Sequence, residues 1–480
     1  MKSQWRIIVL VICSLTIGAT GGYVGSDIFL KVNPPKAEEK QDGTATNEIE
    51  VDLTKVGQAY ELIRKYYIEK VDDDLLVSGA VQGMVETLKD PYSVYMNPET
   101  ARQFNQSLDS SFEGIGTEIG VEDEKIIIVS PYKDSPAEKA GLKPKDEIIS
   151  VDGVNVQGLN VQEVSVKIRG EKGTKVKLEI KRTGLSNHLV FEIKRDQIPL
   201  DTVFSSVKKE SGKQIGYMEI TSFSEKTAAD FSKQLKALEK EGISGLILDV
   251  RGNPGGLLVS VQDILNELVT DEKPYLRTET RVGEQTEFFT KLKTKKPYNI
   301  AVLINKGSAS ASEILAAALQ EAGDYPLIGE TTFGKGTVQQ AIQMNDESTL
   351  KLTLSKWLTP DGNWIHKKGI KPTIAIDQPA IFQTQPLNID STLERDTTSE
   401  QVEHAQAMLR GLGYEPGRSD GYYDLKTEIA VKAFQNEAGL QPSGKIDEKT
   451  AAALEQKIVK EIKDEDNDVQ LRTAIRYLLK

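Results

Sequence analysis

The chain has 480 residues, 72 acidic against 60 basic side chains, a net charge of −12 and one cysteine. At ~150 residues per domain that length asks for about three domains, and with no basic block beyond the first residues nucleic acid has no electrostatic footing as a partner. The lone Cys13 excludes an intrachain disulfide, and three histidines (His188, His366, His404) without an HExxH motif make a multi-imidazole metal site implausible, so no metal or cofactor is expected.

Lys2 and Arg6 precede an uncharged stretch from Ile7 to Ser26, about the length that spans a bilayer. Residues 1–30 therefore read as a signal or transmembrane anchor. The small residues Gly18 to Gly22 keep a cleaved signal peptide open as the alternative. Cys13 follows Ile12, where lipoprotein processing wants a small residue, which argues against a lipid anchor. Both surviving readings export everything after Ser26, tethered to the cell membrane in the first and secreted in the second. Residues 31–48, polar with two prolines, read as a linker.

Over 49–110 the pattern turns helical, with Val56, Tyr60, Ile63 and Tyr67 recurring at threes and fours. This segment is expected to be structural or to serve association, which makes a homodimer plausible. Over 111–190 the composition shifts to short β runs (GIGTEIG, KIIIVS, DEIISVDG, KVKLEIKR) broken by SPAEKAGL and NVQEVSVKIRG. Five or six strands with two short helices suggest a compact, partly open β module. That order, and the phrase SPAEKAGLKPKDEIISVDG, resembles a PDZ domain. The resemblance implies that the loop of Gly114, Ile115 and Gly116 aims N–H groups at the terminal carboxylate of a peptide, which adds as a strand beside the second helix. The plainer reading is that the two glycines only form a turn. Arg169, ending the second helix, is a candidate for signalling peptide occupancy or simply a solvated helix-end cation.

Strands and helices alternate from 200 to 376: IGYMEI, TAADFSKQLKALEKE, GLILDV, VSVQDILNELV, NIAVLIN and SEILAAALQEA. This is an α/β core long enough to bury a sizeable interior. Residues 377–398 read as a linker. Residues 399–458, with DGYY, AVKAFQ and GLQPSGKID, resemble a three-helix peptidoglycan-binding domain, and 459–480 reads as a charged terminal helix. The fold class is thus multidomain α/β (α+β). Peptidoglycan is an expected partner, although such three-helix units can be recruited for dimerisation instead.

GETTFGKGTVQ, 329–339, nearly has the spacing of a phosphate-binding loop. However, Gly336 stands where Ser or Thr must hold Mg²⁺, and Thr337 to Ile342 is a β-type run rather than a helix start. Read as a strand, the segment puts Lys335, Thr337 and Gln339 on one face. A serine nucleophile can use lysine as its base, and NKGSASASEIL offers Ser308, Ser310 and Ser312 at a helix start. Ser310 with Glu313 also fits a capping box, the plainer reading. A serine there would have backbone N–H groups and a helix dipole beside it for an oxyanion. GLILDVRGNPGG brings Gly255 and Gly256, whose backbone can approach a substrate closely. His366, in the core, leaves a histidine base open by count alone.

LDVRGNPGG, NKGSASASEILAAAL and GETTFGKGTVQ together resemble the carboxy-terminal processing (tail-specific) proteases, of the CtpA/CtpB type with an added peptidoglycan-binding-like tail. The resemblance spans residues 50 to 376. It implies Ser310 as nucleophile, Lys335 as general base, Gln339 as the residue orienting that base, and the N–H groups of Ala311 and Gly256 as oxyanion donors. A lysine base must be neutral; burial that lowers its pKa of ~10.4 by about 3 units corresponds to roughly 4 kcal/mol. The activity implied is that of a membrane-tethered serine endopeptidase whose PDZ domain captures free C-termini of protein or peptide substrates and gates the site or only docks them. The competing readings are a non-catalytic PDZ/peptidoglycan-binding scaffold, a nucleotide-binding enzyme, and a peptidoglycan hydrolase. The last lacks any evident pair of catalytic carboxylates.

Overall fold

The computed structural model describes residues 53–480 apart from the short stretches 109–110, 123–124, 133–134, 160, 183–186 and 388–390. The expected anchor and linker at 1–48 lie outside the described residues, among which no helix is long and apolar enough to cross a membrane. Two units are present: one of residues up to 197 with 337–355, the other of 198–336 with 356–480.

In the first unit, helices Thr54–Tyr66 and Asp73–Glu86 follow the expected periodicity; Asp72 caps the second by accepting from Asp74 N and Leu75 N. The first helix buries none of its residues and the second only Val85. The β module contains strands Thr117–Glu122, Lys125–Pro131, Glu147–Val151, Lys175–Lys181 and Leu189–Lys194, paired antiparallel in that order. Lys175–Lys181 shows why: Val176, Leu178 and Ile180 alternate inward while the lysines face out. Ser135 caps the short helix Pro136–Ala140, Pro136 starts it, and Gly141 at φ 88° ends it. The second helix, Val161–Ile168, packs into the module's core through Val164 and Ile168. The same unit holds strand Thr349–Leu358 as far as Ser355, paired with Val94–Met96 and with Thr337–Gln343.

The second unit is built on a six-stranded sheet in the order Val203–Glu210, Lys213–Ile220, Gly245–Asp249, Asn299–Ile304, Leu327–Gly329, Ile374–Ala375. Its first pair is antiparallel and the rest parallel. Every residue of Gly245–Asp249 is buried, as a continuous apolar run in a covered parallel sheet should be. Helix Thr227–Lys240 buries Phe231, Leu235 and Leu238 from its apolar stripe.

Two C-terminal expectations change. Residues 377–398 are more than a linker: Ile381 and Leu393 are buried in the helical domain formed by Glu400–Gly411, Leu425–Glu437 and Glu448–Lys463, and Leu393 bridges to Ile446. The helix at 448 also runs past 458 to Lys463, and the charged tail then forms a separate helix, Val469–Leu479. That helix is amphipathic. Its Leu471, Ala474 and Leu478 cover Ile215, Ile247, Ala301, Leu303 and Ile328 on one face of the core sheet.

Candidate active site

Two loops leave adjacent strands of the core sheet, RGNPGG after Gly245–Asp249 and NKGSAS after Asn299–Ile304, and they are bonded to each other. Asn253 organises the junction from a fully buried position. Its Nδ2 donates to Ile220 O (2.7 Å), its Oδ1 accepts from Gly255 N (2.8 Å), and its carbonyl accepts from Ala309 N (3.0 Å) and Ser312 Oγ (2.9 Å). Ser308 Oγ donates to Val250 O (2.7 Å). Of the three candidate serines, Ser308 and Ser312 are thus committed to holding the loops together.

Ser310 differs from both. Its backbone sits at φ 54°, ψ −113°, outside the regions L-residues prefer, at the N-terminus of helix Ala311–Ala317. Such a conformation costs on the order of 1–3 kcal/mol and persists only where its surroundings over-determine it. Here Glu313 does so: its Oε2 accepts from Ser310 N at 2.9 Å, the carboxylate half of the expected capping box.

Glu313 also explains where Lys335 lies. The same Oε2 accepts from Lys335 N (2.8 Å), while Oε1 accepts from Gly334 N (2.7 Å) and Thr332 Oγ1 (2.5 Å). One buried carboxylate therefore fixes the backbones of Ser310 and Lys335 together. Burial pushes the Glu313 carboxyl up, and the hydrogen bonds from Thr332, Lys335, Gly334 and Ser310 act against it. On the other side, the Lys335 carbonyl accepts from the Trp357 indole (2.7 Å). Lys335 is 1 % exposed, one of the largest fully buried side chains among the described residues. In the sequence Glu313 is legible only as a capping partner; nothing in the spacing announces that its carboxylate also receives the GKG loop.

The glycines around Lys335 have a steric reason that involves no phosphate. Gly334 lies at φ 92°, and a Cβ there would stand 2.8 to 3.1 Å from the backbone nitrogens of Lys367, Lys368 and Gly369. A Cβ at Gly336 would meet His366 N (2.8 Å) and the Trp364 indole nitrogen (2.9 Å). His366 itself stacks on Trp364, with centroids 5.3 Å apart. The strand begins at Thr337, so Lys335 belongs to the preceding loop rather than to the strand face it was expected to share with Thr337 and Gln339.

Gly256 lies at φ 154°, where a Cβ would fall 1.9 Å from Phe223 O. The chain pairs with Phe223 on either side of it, through Phe223 N to Gly255 O and Leu257 N to Phe223 O. Among the described residues, neither Gly256 N–H nor Ala311 N–H is used in a backbone hydrogen bond.

Within the first unit, Gln339 is 1 % exposed and its Nε2 donates to Thr337 Oγ1 (2.9 Å) and Thr353 Oγ1 (3.1 Å). In the β module, the Ile115 and Gly116 carbonyls accept from Ala137 N and Tyr132 N, and Gly116 lies at φ 74°. Ile115 is 1 % exposed, so its side chain belongs to the module's core. Gly114 packs against Phe112, over whose ring the Arg169 guanidinium sits 5.1 Å from the centroid. Arg169 therefore borders the Gly114–Gly116 loop.

A serine at a helix start and a buried lysine, their backbones held by one carboxylate beside a glycine loop on an α/β sheet, form an arrangement suited to a serine peptidase. Comparison with known proteins agrees. The models for peptidase family S41, the PDZ domain, the activating protease CtpB N-terminal domain and the peptidoglycan binding domain match residues 214–376, 127–182, 15–100 and 398–454. The chain is 52% identical over 476 residues to carboxy-terminal processing protease CtpB of Bacillus subtilis, covering 99% of each. It is 42% identical over 480 residues to CtpA of the same organism, covering 100% of each. Among solved structures, the photosystem II D1 C-terminal processing protease is similar at 27% identity, over 68% of this chain and 87% of that one, with a TM-score of 0.43. The chain belongs to the carboxy-terminal processing proteases of peptidase family S41 and is a serine-type peptidase with a PDZ domain, not a non-catalytic scaffold.

Proposed function

We propose that Ser310 and Lys335 form the catalytic dyad of this protease. The neutral Lys335 amine takes the Ser310 proton as Oγ attacks the substrate carbonyl; the N–H groups of Ala311 and Gly256 receive the oxyanion. The lysine returns the proton to the leaving amine, and a water, deprotonated in its turn by Lys335, hydrolyses the acyl-enzyme. Burial of the lysine supports this, because desolvation penalises an ammonium. Gln339 orients the amine without adding charge. The observation that carries the assignment is the shared Glu313 carboxylate, 2.9 and 2.8 Å from the Ser310 and Lys335 nitrogens, with the flanking serines already committed.

The Gly114–Gly116 loop captures the free C-terminus of a protein or peptide substrate, and Arg169 reports its occupancy. The exposed Leu62, Ile63 and Tyr66 of helix Thr54–Tyr66 support homodimerisation through the N-terminal helices. The protease acts outside the cytoplasm, tethered by the apolar segment before Ser26, in regulated proteolysis, with residues 399–458 docking peptidoglycan.

The test is cleavage of an unfolded protein by the full chain in detergent, with EDTA and no nucleotide, beside Ser310→Ala and Lys335→Ala. Each variant should lose at least ~10³-fold in kcat. Cleavage surviving either substitution would remove that residue from the dyad.

A further inference from the structure

The first unit holds a chain of side chains that the dyad chemistry leaves unexplained. Asp90 lies in the turn between helix Asp73–Glu86 and strand Val94–Met96. Its carboxylate accepts from Tyr92 N (3.1 Å), Ser93 Oγ (2.7 Å) and Thr353 Oγ1 (2.6 Å). Ser93 Oγ also accepts from Thr353 N at 3.1 Å, so Asp90 and Ser93 together hold both ends of one residue of the neighbouring strand. Thr353 Oγ1 in turn stands 3.1 Å from Gln339 Nε2.

The polarity of this chain is set at one end. A carboxylate only accepts, so the Thr353 hydroxyl spends its single proton on Asp90 and can offer Gln339 nothing but lone pairs. Only the amide NH₂ can face those lone pairs; turning the amide over would set two oxygens against each other with no proton between them. The amide carbonyl must then point the other way. Gln339 Oε1 is indeed buried, with no hydrogen-bond partner among the described residues. A buried acceptor left so carries an uncompensated desolvation penalty, which suits an atom reserved for a donor.

We infer that Asp90, acting through Thr353, is a positioning element that locks the Gln339 amide with its oxygen presented as an acceptor. The inference rests on the proposed role of Gln339 in orienting the Lys335 amine. An amide of the opposite sense would offer N–H groups to that amine, compete for its lone pair and oppose its work as a base. The turn between the N-terminal helices and the strands thereby acts on the reaction through Thr353 and Gln339.

The test is steady-state cleavage of an unfolded protein by the full chain in detergent, comparing Thr353→Val, Thr353→Ser, Gln339→Ala and the double variant Thr353→Val/Gln339→Ala. Thr353→Val is expected to lower kcat at least tenfold with KM within twofold. Thr353→Ser, which keeps the hydroxyl, should recover to within threefold of the parent. In the Gln339→Ala background, Thr353→Val should change kcat less than twofold, because its effect has already been removed. A parent-like Gln339→Ala would sink the role of Gln339 and the relay with it. An impaired Gln339→Ala beside a parent-like Thr353→Val, or losses that multiply in the double variant, would overturn the relay alone. Should Thr353→Val not fold, Asp90→Asn on the same backgrounds gives the same reading, since its amide can donate to Thr353 and free the hydroxyl proton to turn.

Discussion

The corner holding Ser310 and helix Thr54–Tyr66 are opposite solutions to the same problem of placing apolar and polar groups. In the corner, two serines, an asparagine and a glutamate are buried and each is bonded inside the chain, so that a strained serine backbone is held in place. The helix has a repeating apolar pattern and buries none of it. Satisfied polar networks in a low-dielectric interior fix a geometry, whereas an unpartnered apolar stripe waits for one. Substitutions should therefore be expensive in the first region and nearly silent for folding in the second.

Among single backbone groups, the largest expected effect on cleavage is at Gly256. A Cβ placed 1.9 Å from Phe223 O at φ 154° forces the loop to move, so Gly256→Ala should lower kcat by on the order of 10²-fold or more, as loss of an oxyanion donor does. Parent-like kcat in this variant would show that Gly256 N–H does not serve the oxyanion. Next is Glu313→Ala, which strands four donors. It should lower stability by about 3 kcal/mol or more in urea melts and abolish cleavage, and Glu313→Gln should recover only part of the stability because an amide cannot accept on both sides. Leu478→Ala opens a cavity on the core sheet, at about 2–4 kcal/mol. A loss below ~0.5 kcal/mol would mean that the terminal helix is not docked as described.

A smaller effect concerns acid. Arg251, in the glycine loop, bonds Asp249 and also Asp468 (Nη2 to Oδ2, 2.8 Å) at the start of the terminal helix. Burial would raise the Asp468 carboxyl, but the hydrogen bond and charge of Arg251 hold it below its usual value of 3.8. A depressed folded-state pKa gives stability that is present above the unfolded value and lost as pH falls through the folded one. Asp468→Asn should therefore lower the melting temperature at pH 7 and narrow its fall below about pH 4. An unchanged acid limb would show that the pair contributes nothing to acid stability. The smallest effect on folding belongs to the helix: Leu62→Glu with Ile63→Glu should leave the core's melting within ±0.5 kcal/mol, and the homodimer proposed above predicts that it shifts sedimentation from dimer to monomer. Unaltered sedimentation would remove this helix from the proposed association.

Much of this was legible in the chain. The alternation of KVKLEIK, the stripe of TAADFSKQLKALEKE and the buried run GLILD each became the element its period foretells, since periodicity reports directly on which face is covered. The GKG motif was separable from a phosphate loop because the residue after the lysine and the strand that follows are local facts. The apolar side of VQLRTAIRYLL is not legible in the sequence, because only three of its residues are buried apolar ones and their partners lie on distant strands of the core sheet, Ile215 to Ile328. The residues at 377–398 read as a linker for the same reason, with Ile381 and Leu393 too sparse to show a period.

By itself the sequence determined the order of modules, the period of their elements and the residue types capable of the chemistry: a serine at a helix start, a lysine among glycines, a glutamine two residues into the strand that follows. Tertiary structure alone decided that Ser308 and Ser312 tie the loops together, why GKG needs its glycines, and that Glu313 and Asp90 reach across the chain to fix other residues. Local propensities act over a few neighbours and are written in the order of residues. A buried carboxylate chooses its donors by distance in space, and that choice exists only once the chain has folded.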